Sequence, residues 1–397
     1  MKTSQAWIDR GLAHVAKTYG RYPLVAASGA GCWLTDIDGN RYLDFLAGVA
    51  VNNLGHCHPA VVKALQEQAA TLIHCSNYYH IPSQIELAEL LCANSFGDRV
   101  FFCNSGAEAN EAAIKLTRKY CAEKYAGQRF EILTAKASFH GRTLGTLSAT
   151  GQEKIQQGFN PLSPGFKYIP YGDLDALKAA VGPQTAGVML EPIQGEGGVN
   201  VPPAGYLKAV REFCDEHELL LIFDEIQVGL GRTGTLFAYQ QEGIEPDILT
   251  LAKALAGGPP IGAMIARNPY IDVLGPGTHG STFGGNPLVT AAAVATMKVL
   301  LEGSVLANCV AMGEYLRGKL EELKGKYPFI TEVRGRGLIL GMQLTIEGAG
   351  IVKTALERGL LLNCTVGTVL RFVPPLIVTS NEIDQMIATL DGILAEL

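Results

Sequence analysis

The sequence predicts an α/β fold: a large domain with a mostly parallel central sheet flanked by helices, and a smaller α+β domain. Three observations carry the prediction. Short apolar runs of strand character alternate with helix-like segments, and most of the 46 glycines fall in clusters between them. The chain has 397 residues, 48% of them hydrophobic and 18% charged, enough for two domains with cores of their own. After about Asn286 the texture changes to long helices with few strands between them.

Taken in order, residues 29–31 and 36–39 (Gly-Ala-Gly and Asp-Ile-Asp-Gly) read as hairpin turns, so residues 1–55 are expected to join the smaller domain. Residues 56–286 are expected to form the large domain. There, 99–103 reads as a buried strand, followed by a turn at Asn104-Ser105-Gly106 and a helix over about 107–119. Residues 130–134, 187–190, 219–223 and 248–251 are further short apolar strands, each ending in a polar or glycine-rich loop. Ligands usually bind at such loops, at the carboxyl ends of parallel strands. Residues 287–397 are expected to form the smaller domain: helices over 288–301 and up to about Lys326, then strands at 338–344 and 369–373. A last helix begins at Thr379, where Glu382 completes a capping-box pattern.

Composition excludes several classes of function. Lys+Arg 32 against Asp+Glu 38 leaves a net charge of −6, which argues against neutralising nucleic-acid phosphates or anionic lipid. Nine cysteines without a CxxC pair suggest neither a disulfide framework nor a zinc site. His56-Cys57-His58 lacks a third ligand at suitable spacing, so no metal is expected and a turn into a helix after Pro59 is. The first residues carry charges through any apolar segment, and the run 248–266 is broken by Lys253 and two prolines, so neither a signal peptide nor a membrane span is expected. The expectation is a soluble cytoplasmic protein in a reducing compartment.

Three strand ends carry chemistry. At 105–110 a strand runs through a glycine turn into a helix, so free N–H groups and the helix dipole converge as at an anion site. Local capping of Glu108 by Ser105 explains the same pattern. The strand over 219–223 delivers Asp224, and the strand over 248–251 is followed by Lys253. A carboxylate and an amine beside a phosphate cradle match the protein side of a pyridoxal phosphate site. Taken singly, Asp224 could cap a turn and Lys253 could be solvated.

Seven segments together make the pattern specific: Leu54-Gly-His-Cys-His-Pro59, Asn104-Ser-Gly-Ala-Glu-Ala109, Phe139-His-Gly-Arg-Thr143, Glu191-Pro-Ile-Gln-Gly-Glu-Gly197, Phe223-Asp-Glu-Ile-Gln227, Leu251-Ala-Lys253 and Gly280-Ser-Thr-Phe-Gly-Gly-Asn286. On these the chain resembles the class III, fold-type I aminotransferases from Gly29 to the last helix. Within the class, 139–143 and Ser76-Asn-Tyr-Tyr79 are most similar to members acting on N2-acetylornithine. Relatives acting on ornithine, succinylornithine, succinyldiaminopimelate or 4-aminobutyrate share nearly all the cofactor residues.

The resemblance implies pyridoxal 5'-phosphate as cofactor, and N2-acetylornithine and 2-oxoglutarate or glutamate as substrates. It implies that Lys253 is the Schiff-base lysine and proton shuttle, and that Asp224 keeps the pyridine nitrogen protonated. Gly106 and Ala107, with Ser105 nearby, would hold the phosphate, Phe139 would stack on the ring and Gln227 would bond its phenolic oxygen. Arg142 would take the distal carboxylate, Arg371 the α-carboxylate of glutamate, and Glu196 would pair with Arg371 when that carboxylate is absent. Ser281 would touch the acetylated substrate, and Thr282 would reach the phosphate of the other subunit, which makes a homodimer the expected active unit. His140 is expected to order the loop around Arg142.

Overall fold

Strand polarity sets the position of every functional loop. The computed structural model describes residues 3–397 and holds three sheets. In chain order the strands are β1 (Ala26–Ala30), β2 (Trp33–Asp36), β3 (Arg41–Asp44), β4 (Arg99–Cys103), β5 (Glu131–Ala135), β6 (Phe166–Ile169), β7 (Thr185–Leu190) and β8 (Leu220–Asp224). They continue with β9 (Ile248–Leu251), β10 (Gly262–Ala266), β11 (Ile330–Arg336), β12 (Ile339–Leu344), β13 (Leu360–Leu361), β14 (Asn363–Thr365) and β15 (Val369–Phe372).

The central sheet runs in the order β4-β10-β9-β8-β7-β5-β6. Neighbours from β9 to β6 pair in parallel, whereas β10 is antiparallel to both β9 and β4. Hence β4, β5, β7, β8 and β9 all end at the same edge. The sequence reading did not foresee β10. Only residues 252–261 separate it from β9, too few for the helical crossover that a parallel return requires. β5, β7, β8, β9 and β10 are buried along their whole length, which is why apolar residues dominate them.

The helix Gly106–Lys124 follows β4 and turns Ala109, Ala112, Ala113 and Leu116 inward. It is five residues longer than its expected end, because Tyr120 to Lys124 continue the turn without a breaker. The small-residue helix Pro287–Glu302 and the helix Val305–Lys326 follow the central sheet, much as expected.

A second sheet, β11-β12-β15-β14, is antiparallel throughout and sets Arg371 on β15 between Gly341 and Asn363. In the third, β1-β2-β3-β13, the early hairpins pair in parallel with a strand from the far end of the chain, Leu360 opposite Leu43. The last helix, Ser380–Leu394, starts with the capping box read from the sequence: Thr379 Oγ1 accepts from Glu382 N, and Glu382 Oε2 from Thr379 N. Among the described residues no single helix is long and apolar enough to cross a membrane.

One local conformation carries no sequence signal. Ala47, Gly48, Val49 and Ala50 all have φ between 48° and 64°, a left-handed turn that includes a β-branched residue. Asp44 Oδ1 accepts from the N–H of Leu46 and of Ala47 at 2.8 Å and ties the turn at its start. The turn delivers Val51 to the cavity described next.

Candidate active site

A cavity of about 380 Å³ opens where the five strand ends meet. Each end contributes to its lining: Ser105, Gly106 and Ala107 after β4; Phe139, His140 and Arg142 after β5; Glu191 after β7; Asp224, Ile226 and Gln227 after β8; Lys253 after β9. Sequence reading named most of these; the structure puts them in one place.

At the N-terminus of the helix Gly106–Lys124, Ser105 Oγ accepts from Glu108 N at 3.2 Å, and Glu108 Oε2 accepts from Asn104 N at 2.6 Å. Capping therefore leaves room for an anion at the same helix start. The cap uses Glu108 N and leaves the N–H groups of Gly106 and Ala107 without a protein acceptor, facing the cavity. A Cβ at Gly106 would meet Ile226 Cδ1 at 2.8 Å, so only glycine fits this approach.

Asp224 is buried at the end of β8 and accepts three hydrogen bonds: from Asn110 Nδ2 and His140 Nδ1 on Oδ2, each 2.7 Å, and from Ile226 N on Oδ1 at 3.0 Å. Asn110 is itself fixed, donating to His140 O and accepting from Thr250 Oγ1, both at 2.7 Å. Burial opposes a charged His140, but the hydrogen bond and charge of Asp224, with the charge of Glu191, raise its pKa. His140 Nε2 is buried without a hydrogen-bond partner among the described residues. The expectation that His140 orders the loop is too narrow, since the ring also fixes Asp224.

Lys253 opens the turn after β9 with φ of 44°, a left-handed conformation uncommon for a side-chain-bearing residue. Its Nζ forms no hydrogen bond or ion pair among the described residues. Burial lowers its pKa to about 8, helped by the charge of Arg371 and opposed by Asp224, Glu196 and Glu191. Glu191, to which the sequence reading gave no role, is a buried carboxylate whose Oε2 accepts from Phe139 N at 3.0 Å. Burial raises its pKa and Asp224 adds to this.

Arg371 lies 1% exposed behind the cavity. Its Nη1 donates to Glu196 Oε2 at 2.8 Å, Gln227 Oε1 at 3.1 Å and Gly195 O at 3.2 Å; its Nε donates to Asn363 Oδ1 at 3.2 Å. Its Nη2 has no protein partner among the described residues. Burial works against an ionised Glu196, but the charge and hydrogen bond of Arg371 outweigh it and lower its pKa. The amide of Gln227 fills the space where a Cβ at Gly195 would stand, 2.0 Å from Oε1, and its Nε2 stays free to donate.

At the mouth, Arg142 is exposed with its guanidinium carbon 5.3 Å from the centroid of the Phe139 ring. Ser281 and Thr282 do not line the cavity. Ser281 Oγ accepts from Asn104 Nδ2 at 3.1 Å, beside the anion-binding turn, while Thr282 is exposed and makes no hydrogen bond among the described residues. His56 and His58 stand apart from the cavity: His56 Nε2 bonds Asp44 at 2.8 Å and His58 caps the helix Pro59–Ala69.

The donor set fits pyridoxal phosphate. Two free N–H groups at a helix start suit the phosphate, Phe139 and Ile226 offer apolar surface to a ring, and Asp224 and an unpaired lysine with a lowered pKa complete the set. Fold and site define an enzyme that works through a phosphorylated aldehyde cofactor carried on a lysine. Residues 14–394 match the class-III aminotransferases, and the chain belongs to that family. It is 54% identical over 385 residues to the acetylornithine aminotransferase of Caldanaerobacter subterraneus subsp. tengcongensis, covering 97% of this chain and 98% of the relative. It is 52% identical over 395 residues to that of Methanocaldococcus jannaschii, covering 100% and 99%. Among solved structures, the ornithine aminotransferase of Toxoplasma gondii superposes with a TM-score of 0.96 at 38% identity, covering 100% of this chain and 96% of the other.

Proposed function

We propose that this chain moves the terminal amino group of N2-acetylornithine to 2-oxoglutarate, giving N-acetylglutamate 5-semialdehyde and glutamate, a step of arginine synthesis. The observation that carries the reading is the Arg371–Glu196 pair: a buried arginine held by one half-exposed carboxylate, with one guanidinium nitrogen unspent. One enzyme must seat glutamate, which brings an α-carboxylate to the reacting carbon, and a donor whose terminal amine brings none. An arginine left bare in the second case would be costly, and Glu196 covers it. The names of the relatives point to the same donor.

When bound, pyridoxal phosphate supplies an electron sink for the bonds at the carbon that carries the amino group. The N–H groups of Gly106 and Ala107 would hold its phosphate, with Ser105 beside them, and Phe139 would pack on its ring. Asp224, kept in place by Asn110 and His140, would hold a proton at the pyridine nitrogen, and Gln227 would donate from Nε2 to the phenolic oxygen. Lys253 Nζ would carry the cofactor and would take up and return the proton at the substrate carbon; a lowered pKa suits an amine that must do so near neutrality. Arg142 holds the distal carboxylate in both half-reactions, and Ser281 meets the acetylated end. Arginine suits both carboxylates because its planar fork meets them bidentately.

In the same reading residues 56–286 form the cofactor domain, and 1–55 with 287–397 the smaller one. The active unit is a cytoplasmic homodimer in which Thr282 of the partner subunit reaches the phosphate. Donor profiling of the cofactor-loaded enzyme tests the substrate. N2-Acetylornithine should lead, and a clear preference for unacetylated ornithine or 4-aminobutyrate overturns the assignment. Ornithine is the second reading, favoured by the close superposition on the Toxoplasma gondii enzyme.

A further inference from the structure

Behind the Arg371–Gln227 contact lies a second buried arginine that the reaction does not use. Arg232 is 0% exposed and has no carboxylate within ion-pair distance among the described residues. Its guanidinium is held by three oxygens from three distant segments. Nη1 donates to Leu338 O at 2.9 Å, at the β11–β12 turn, and to Pro374 O at 2.5 Å, just past β15. Nη2 donates to Asn53 Oδ1 at 2.5 Å, and Nε is left without a partner. The backbone closes the same knot: Arg232 O accepts from Leu338 N at 3.1 Å, Asn53 Nδ2 donates to Leu230 O at 2.8 Å, and Leu376 N donates to Asn53 O at 2.7 Å.

A buried cation without a counter-charge is a poor source of stability, since apolar packing fills such a space at lower cost. Burial lowers the pKa of Arg232, to about 10, and it stays charged at neutral pH. What the fork supplies is geometry, because a planar donor with several N–H groups fixes several acceptors at once. The segments it fixes bear on the site. Gln227 stands five residues before Arg232 on the same loop, and Arg371, on β15, stands three residues before Pro374, just beyond the end of that strand. The 3.1 Å contact between Gln227 and Arg371 closes the front of this ring, and Arg232 closes its back.

We propose that Arg232 is a positioning residue: by clamping Asn53, Leu338 and Pro374 to the loop that carries Gln227, it sets Arg371 at the height an α-carboxylate requires. The proposal rests on the substrate reading above, in which glutamate uses Arg371 and N2-acetylornithine does not. Arg232 should therefore matter for one class of ligand and not the other.

The test uses the cofactor-loaded enzyme with Arg232→Lys, which keeps the charge and loses the fork, and Asn53→Ala, which removes one acceptor and leaves the arginine in place. Two unreactive probes are titrated by calorimetry: glutarate, which needs both Arg142 and Arg371, and N2-acetylnorvaline, which needs only Arg142. In Arg232→Lys the affinity for glutarate should fall about tenfold, as expected when hydrogen bonds that hold a charged group are lost, and that for N2-acetylnorvaline by less than about twofold. Asn53→Ala should show the same split at about threefold, which decides the matter should Arg232→Lys fail to fold. The visible band of the bound cofactor should not move in either variant. Equal losses for both probes, an unchanged glutarate affinity, or loss of the cofactor band with no split in Asn53→Ala overturns the positioning role. An unmutated enzyme that turns over neither glutamate nor N2-acetylornithine overturns the substrate reading and this proposal with it.

Discussion

The floor of the cavity and its mouth are built on different principles. At the floor, Asp224, His140, Asn110 and Thr250 are buried and tied to one another by bonds of 2.7 Å, and Lys253 is presented by a strained backbone. At the mouth, Arg142 and Thr282 are exposed, and Thr282 makes no hydrogen bond among the described residues. The floor groups hold one another within one polypeptide, whereas in the proposed function the groups at the mouth meet a ligand or a second subunit. A preorganised floor suits chemistry common to every substrate; a mouth with a loosely held cation suits a choice between substrates. Substitutions at the floor should stop turnover altogether, and those at the mouth should shift it between half-reactions.

The largest effect is expected at Lys253. Lys253→Ala removes both the covalent anchor and the proton shuttle, and turnover should fall by roughly ten-thousand-fold or more, while equilibrium dialysis still shows cofactor bound through its phosphate. Activity within about tenfold of the unmutated enzyme would deny the lysine its role and make the floor no more critical than the mouth.

The pH dependence of cofactor attachment probes the same floor more gently. Only the neutral amine attacks an aldehyde. With its pKa lowered to about 8, Lys253 is roughly one-tenth neutral at pH 7, about 300-fold more than a lysine at its usual value of 10.5. The rate at which apoenzyme gains the visible band should rise about tenfold per pH unit below the pKa of Lys253 and level off above pH of about 8. A rate still climbing at pH of about 10 would mean that burial and the charge of Arg371 do not act on this amine.

These two regions were also unequally legible in the amino-acid sequence. Asp224, Lys253 and Gly106 stood out because each ends or follows an apolar run, and fully buried parallel strands announce themselves that way. The Thr379–Glu382 capping box was readable because it is local. Other features depend on pairs far apart in the chain. His140 meets Asp224 across 84 residues and Asn110 meets it across 114, so no window around either residue reveals them as supports of the carboxylate. Glu191 was visible as part of a motif but not as a buried acid, since burial comes from packing. β10 was missed because the apolar stretch over 248–266, past its first strand, was weighed only as a membrane span and not divided into a second strand. The left-handed turn over 47–50 was hidden because Ala and Val carry no bias toward positive φ.

Glu196 links floor to mouth, and its removal should act selectively. Glu196→Gln keeps the volume but withdraws the charge facing Arg371. The half-reaction with N2-acetylornithine should slow about tenfold, because the arginine is then uncompensated whenever no α-carboxylate is present, and the glutamate half-reaction should change by less than about threefold. Stopped-flow measurement of each half-reaction separates the two. Equal slowing of both would count against a switch and leave Glu196 as an ordinary support for Arg371.

The smallest effect belongs to Thr282, and it bears most directly on whether the mouth needs a second subunit. Losing one hydroxyl donor to a phosphate is worth about 1 kcal/mol, so Thr282→Val should weaken cofactor retention about fivefold with little change in the fold of the single chain. That loss alone does not say whose cofactor the hydroxyl serves. A mixed dimer does. When a Lys253→Ala chain is paired with a Thr282→Val chain, the one competent lysine lies in the Thr282→Val chain and faces an intact Thr282 across the interface. If the hydroxyl crosses between subunits, this site should keep its cofactor as the unmutated enzyme does; if it serves its own chain, the site should show the full fivefold loss. The first outcome makes the exposed loop at 281–283 part of the neighbouring active site, and the second makes each chain self-sufficient at floor and mouth alike.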